Sequence, residues 1–271
     1  MHTTHGLSIQ QGCIALKLAR SAYYQVPVDW QVRDQEIIEA LNQLVEAHPR
    51  WGVWKYIDRL RALGRPWNHK RIYRVYRQLK LNQPRRTKRR LPKRPSLPVF
   101  VPEGRNEVWS ADFMSDALYH GPRFRTFNIM DDFNREALAI EIDTSLRAER
   151  IIRVLERLKV ERDLPHMIRV DNGPEFLAQA LQDWGKANRV LIYYIQPGRP
   201  TQNAFIERFN RTYRNEVLNL YLFRSLEEVR EITAEWMTIY NEHRPHEALQ
   251  GAAPWTYHKP TPENSTLQLS A

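Results

Sequence analysis

IRVDNGPEF, residues 168–176, is a short apolar run that stops on an acid and turns at once through Asn172, Gly173 and Pro174. The run reads as a strand ending at Asp171. A carboxylate at a strand tip has two explanations. Asp and Asn favour turns for their own local hydrogen bonding. Alternatively, the carboxylate holds something. The choice depends on what else in the chain can reach it.

Working outward, the residues after Val99 alternate as strands and helices. EVWSADFMSDAL, FRTFNIMDDF and EALAIEID read as three consecutive strands joined by turns. LRAERIIRVLERLKVERDL is an amphipathic helix with Ile151, Ile152, Leu155 and Leu158 inward. HMIRVD is a fourth strand, EFLAQALQDWGKAN a helix, and VLIYYIQ a fifth strand. Long helices are expected from about Asn203 to Asn219 and from Leu226 to His243. Three hairpin-connected strands followed by alternating helix and strand predict an α/β fold with a mixed sheet. Functional groups in such sheets gather at strand ends.

The front of the chain is helical and basic. Residues 1–98 hold 20 Lys/Arg and 6 Asp/Glu, a net of +14, and the remainder is net −4, giving the chain its +10. A basic front joined to a mildly acidic body predicts a polyanion partner. Two very short helices are expected within residues 8–24, with Ser8 and Gln11 at capping-box spacing. Further helices are expected at Val32–Val45, Val53–Leu63 and from Asn68 to Leu81. The last has an apolar stripe of Ile72, Val75, Tyr76 and Leu79 beside a basic stripe of Lys70, Arg74 and Arg77, with Arg71 adjacent. Such a helix after a tight turn suits a DNA major groove, although a solvated charged face has the same pattern. Arg85, Arg86, Lys88, Arg89, Arg90, Lys93 and Arg94 then crowd a proline-rich stretch that cannot build a core and should track phosphates. The expected divisions are a helical helix-turn-helix region at 1–83, a basic linker at 84–98, a catalytic core at 99–258 and a flexible tail at 259–271. One cysteine, Cys13, excludes internal disulfides and a Cys-rich zinc site and fits a reducing cytosol. No apolar run reaches the ~20 residues of a membrane span, and no signal peptide is read at the start.

Asp112 sits inside the first strand among apolar neighbours, a poor place for a merely solvated acid. Its strand and that of Asp171 can lie side by side. Glu207 shares a polar helical stripe with Arg211 and Arg214, opposite Ile206, Phe209, Tyr213 and Val217. Three converging carboxylates would repel unless cations joined them. Oxygen ligands without Cys or His favour Mg²⁺ or Mn²⁺, and two such ions suit an in-line phosphoryl displacement. A nearby arginine, Arg211 or Arg214, could position the phosphate. Spacing alone leaves open a turn aspartate and a solvated helix glutamate. Asp116, Asp131 and Asp132 read as turn or supporting residues, and His243, Pro245 and His246 as a helix-ending turn.

WSAD at 109–112, VDNGPEF at 170–176 and QPGRPTQNAFIERFN at 196–210 resemble the catalytic core of retroviral integrases and DDE transposases. Asp171 and Glu207 enclose 35 residues, the spacing that names the D,D-35-E group. IYNEHRPHEAL at 239–249 and the block HPRWGVWKYIDRLRALGRPWNHKRIYRVYRQLKL resemble bacterial insertion-sequence transposases, above all their second-frame products. The resemblance implies an RNase H-like five-stranded sheet, order 3-2-1-4-5, with the first three strands antiparallel. It implies two Mg²⁺ ions, with Mn²⁺ as substitute, on Asp112, Asp171 and Glu207, and a catalytic cation at Arg214. The implied chemistry nicks an element's end to free a 3′-hydroxyl, which attacks a second phosphodiester. The implied partners are double-stranded DNA at element ends and target, further copies of the chain, and an upstream-frame product. The implied setting is the bacterial cytoplasm, on the nucleoid. The zinc module of retroviral integrases is missing here. Two other readings share these residues: a structure-specific nuclease without strand transfer, and a DNA-binding regulator with a relic core.

Overall fold

The computed structural model describes residues 8–25, 29–82, 100, 102–196 and 200–257, with backbone alone at 200 and 201. The basic stretch at 84–98, the tail from 259 and residues 197–199 lie outside them. The chain divides into two compact units, one drawn from Met1–Pro49 and Asn68–Asn82, the other from Arg50–Trp67 and Gln83–Ala271.

The first unit is helical. α1 (Ile9–Ala15) starts on the expected capping box, with Ser8 accepting from the Gln11 N–H while Gln11 accepts from the Ser8 N–H. α2 (Arg20–Tyr24) follows. α3 (Trp30–Ala47) is capped by Asp29, two residues before the expected start. It buries Ile37 and Leu41 and packs against α5 (His69–Gln78), which buries Ile72, Val75 and Tyr76. Asn68 caps α5 through the Lys70 N–H.

The second unit opens with α4 (Val53–Ala62) and carries the sheet. Its strands are β1 (Val108–Ala117), β2 (Arg123–Asp131), β3 (Ala137–Asp143), β4 (Met167–Val170) and β5 (Leu191–Tyr194). The sheet order is β3-β2-β1-β4-β5, as the resemblance implies. β1, β2 and β3 pair antiparallel, and β1–β4 and β4–β5 pair parallel. α6 (Ala148–Glu161) makes the long crossover that a parallel β4 requires.

Period-2 alternation sends the strand residues to two cores. Trp109, Ala111, Ile168 and Val170 pack on one face with α6 and with Leu181 and Trp184 of α7 (Gln179–Asn188). On the other face Phe124, Met130 and Ile142 meet α8 (Ala204–Tyr213) and α9 (Leu226–Glu242), whose Phe209, Tyr213, Trp236 and Tyr240 rings touch one another. α7 begins four residues later than expected, because Gly173–Leu177 form a turn. The expected helix at 203–219 is a ten-residue α-helix that widens into a π-helical turn at Arg214–Leu218. Such turns occur often at functional sites.

Candidate functional site

The β1–β4 register sets the site. Trp109 stands beside Ile168 and Ser110 beside Arg169. Continuing that register by two residues puts Asp112 beside Asp171. Trp109 and Ile168 belong to the α6–α7 core, so the alternate residues, Asp112 and Asp171 among them, face α8. The sequence predicts a buried acid in one strand and a strand-tip acid in the other. Parallel pairing makes them neighbours.

Glu207 sits in the first turn of α8, exposed, on the face opposite Ile206 and Phe209. Its charge and that of Asp171 both act on Asp112. Burial first, then the Asp171 and Glu207 charges, push the Asp112 carboxyl up to about 6, against hydrogen bonds from the Phe113 N–H and from Asn210. Burial also raises Glu207, while the Arg211 charge opposes the rise. Among the described residues no three of His, Cys, Asp and Glu are drawn together into a ready-made cage. The nearby acids offer oxygen donors alone and carry unrelieved repulsion, a donor set that fits a hard divalent cation.

Each acid is held locally. The Asp112 Oδ1 accepts from the Phe113 N–H at 2.8 Å, and its Oδ2 accepts from the Asn210 Nδ2 at 2.8 Å. Asn210 accepts in turn from the Asn128 Nδ2 at 2.7 Å. Asp171 accepts from the Gly173 N–H at 3.0 Å. A Cβ on Gly173 would come within 3.1 Å of the Asp171 Oδ1, so a side chain there crowds the acid. Glu175 pairs with Arg125 of β2, which lowers its carboxyl and ties the turn to the sheet.

Arg214, which its spacing groups with these acids, is engaged by residues of β1. Its guanidinium donates to the Asp116 Oδ2 at 3.0 Å and to the Ser115 carbonyl at 2.9 Å. Arg211 is exposed one turn from Glu207. Asp132 forms a buried pair with Arg169 at 2.9 Å, and Asp131 accepts from two backbone N–H groups, so both support the structure around the turn. His243 continues the α9 ladder through its N–H, and His246 packs edge-on to Tyr240.

Asn210 and Asn128 escape sequence reasoning. The available signal is helical spacing, since Asn210 lies three residues after Glu207, and a lone amide inside the apolar run of β2.

On α5, Arg71 and Arg74 are both committed to the buried Asp34, each at 2.7 Å, and Arg74 also lies over the Trp30 ring at 4.8 Å. Lys70, Tyr73 and Arg77 are exposed.

Models of an integrase core domain match residues 102–200 and 188–254, and a model of an HTH-like domain matches 32–90. The chain is 38% identical to the uncharacterized 31.7 kDa protein of insertion element IS407 from Burkholderia multivorans, over 92% of this chain and 89% of that one. The chain belongs to the insertion-sequence transposases of the retroviral integrase superfamily. A second transposase-family relative, the uncharacterized 39.2 kDa protein of insertion element IS476 from Xanthomonas euvesicatoria, is 35% identical over 89% of this chain and 69% of that one. Among solved structures, a chain of the simian T-cell lymphotropic virus intasome in complex with the PP2A regulatory subunit B56 gamma matches with a TM-score of 0.50. It is 15% identical over 73% of this chain and 69% of that one, a likeness of fold. No described helix of this transposase-family chain is long and apolar enough to cross a membrane.

Proposed function

We propose that the chain cuts DNA at the ends of an insertion sequence and joins the freed 3′-hydroxyl to a second duplex, using divalent metal ions held by Asp112, Asp171 and Glu207. The observation that supports this reading is the β1–β4 register, which continued two residues past Ser110 and Arg169 brings Asp112 to Asp171, together with the action of the Glu207 charge on Asp112. A bound pair of Mg²⁺ or Mn²⁺ ions supplies activation of the attacking oxygen and stabilisation of the leaving one. The protein's own part is positional. Asn210 fixes the Asp112 rotamer, and the Gly173 N–H fixes Asp171. We assign the scissile phosphate to Arg211, whose guanidinium is exposed beside Glu207, while Arg214 ties α8 to β1 through Asp116.

The strand breaks when an oxygen nucleophile attacks phosphorus and the 3′-oxygen leaves as the hydroxyl. That hydroxyl then attacks the phosphorus of a target phosphodiester, losing its proton and forming a new 3′-oxygen–phosphorus bond as the target strand's own 3′-oxygen leaves and is protonated. Lys70 and Arg77, with the stretch Arg85–Arg94, would grip the duplex around the element end. We further propose the division into a helical region to 83, a linker at 84–98 and a core at 99–258, and assembly with further copies and an upstream-frame product on bacterial DNA.

The test is a purified-protein assay with a labelled element-end duplex and a second duplex. The expected result is joining of the 3′-hydroxyl end in Mg²⁺, lost in Asp171→Asn and Glu207→Gln while DNA binding and the thermal midpoint survive. Cutting without joining would favour a nuclease. Activity undiminished by either substitution would remove these acids from the site.

A further inference from the structure

Behind the acid-bearing face of α8 lies a concavity within the same unit, about 950 Å³ in volume. Its walls are the first turns of α4, the β2–β3 turn, the reverse face of α8 and the segment after α9. Four cations line it, Lys55, Arg135, Arg208 and Arg244, against two carboxylates, Asp58 and Glu247. Arg244 is already engaged by Glu216 at 2.8 Å. The Arg135 guanidinium donates to the Asp132 carbonyl and sits over the Phe205 ring, 3.5 Å from its centroid. The exposed Trp54 ring forms part of the opposite wall. α4 begins at this cavity and Gly52 gives it no side-chain cap, so a positive helix end adds to the cations.

We propose that this cavity binds an unpaired nucleotide of a DNA strand, its phosphate on Lys55 and Arg208 and its base against Trp54 and the Arg135–Phe205 stack. The volume is far more than one phosphate needs and lies at the upper end of ordinary ligand pockets. Flat π surfaces and a guanidinium plane are the partners that a splayed base stacks on. A paired base is already stacked in its duplex and cannot enter a concave site. Burial first, then the Arg244 charge and last that of Arg208, lower the Lys55 ammonium to about 8, against the Glu216 and Glu247 charges. α8 is about 10–12 Å across with its side chains, so a strand held here passes around the helix toward Asp112 and Asp171. The inference rests on the proposed strand chemistry for the source of the nucleotide, not for the chemistry of the cavity.

The experiment measures binding of the full chain to a fluorescent oligothymidylate of about eight nucleotides and to a blunt duplex. Lys55→Ala combined with Arg208→Ala should weaken single-strand binding about tenfold or more and flatten its salt dependence by about 0.7 for each phosphate no longer neutralised. Trp54→Ala should weaken it with little change in salt slope. Arg208→Lys should retain most of the affinity. Duplex binding should stay near the unmodified value in all of them. Should the double variant melt early, Thr212→Glu keeps the native cations and sets a negative charge at the cavity wall, and should reproduce the loss. Glu207→Gln should bind the single strand normally, so failure of the catalytic reading would show separately. Single-strand binding unchanged by every cavity variant would overturn the proposal. So would an equal loss of duplex binding, or efficient displacement of the oligonucleotide by polyglutamate, which would mark an acidic-peptide site.

Discussion

Asn210 bridges Asn128 and Asp112 by two hydrogen bonds of 2.7 and 2.8 Å, and that bridge fixes which way one of three acids points. A half-buried carboxylate raised to about 6 needs a donor to keep one rotamer, and under the proposed function that rotamer is the one that would meet a cation. Asn210→Ala should therefore lower Mg²⁺-supported strand cleavage about 10–100-fold. The thermal midpoint should move little, and excess metal should recover part of the loss, as a titration of activity against Mg²⁺ would read. Insensitivity to metal concentration would mean that Asn210 serves the fold alone. Asp112 and Asp171 stand out in the sequence as candidates, through the apolar setting of the one and the turn after the other. The amide does not. An asparagine on a polar helical stripe has no periodicity of its own, and only the tertiary placement of β1 against α8 gives it a partner. Arg214 shows the converse. Its spacing from Glu207 groups it with the site, but Asp116, four residues beyond Asp112 on the same strand, takes its guanidinium.

At the scale of elements, the strands are readable because period-2 alternation and turn chemistry agree, and the helices because their apolar stripes run at 3.6. Terminal detail is less so. α7 starts late because Phe176 leaves the helix pattern and enters the core from the turn before it. The π turn after α8 has no sequence mark. At the end of α9, His246 accepts from Arg244 at 3.4 Å on its Nε2, which favours the neutral ring. Burial first, and then the Arg244 charge, hold its pKa well below the ordinary value of 6.5. The unfolded chain therefore binds a proton that the folded chain resists, and the fold loses stability as pH falls through about 6.5. Lowering pH from about 7 to about 5 should lower the thermal midpoint, and His246→Gln should shrink that drop. Identical drops in both chains would exclude His246 as the cause.

Across the whole molecule, charge is divided more sharply than composition suggests. Within the first 98 residues, whose net of +14 already counts Asp34, two of the cations are turned inward, because Asp34 takes both Arg71 and Arg74. We expect the rest to act on phosphates through Lys70, Arg77 and the stretch from Arg85 to Arg94. Replacing the seven cations of that stretch by glutamine should weaken binding to all duplexes alike and cut the slope of log affinity against log salt by about 0.9 for each phosphate released from its cation. Affinity measured on an element end and on unrelated DNA, over a range of salt, reads both effects. A loss confined to the element end would instead place sequence reading in that stretch.

The offset between β1 and β4 is the same 59 positions that separates Asp112 from Asp171. The crossover from β3 to β4 can drift in length by insertion or deletion without parting the pair, provided β4 keeps its own phase. Loss of one codon within Met167–Val170 would rotate the acid through the plane of the sheet into the apolar side. Reading-frame-preserving changes in copies of such an element should accordingly accumulate around α6 and spare those four positions.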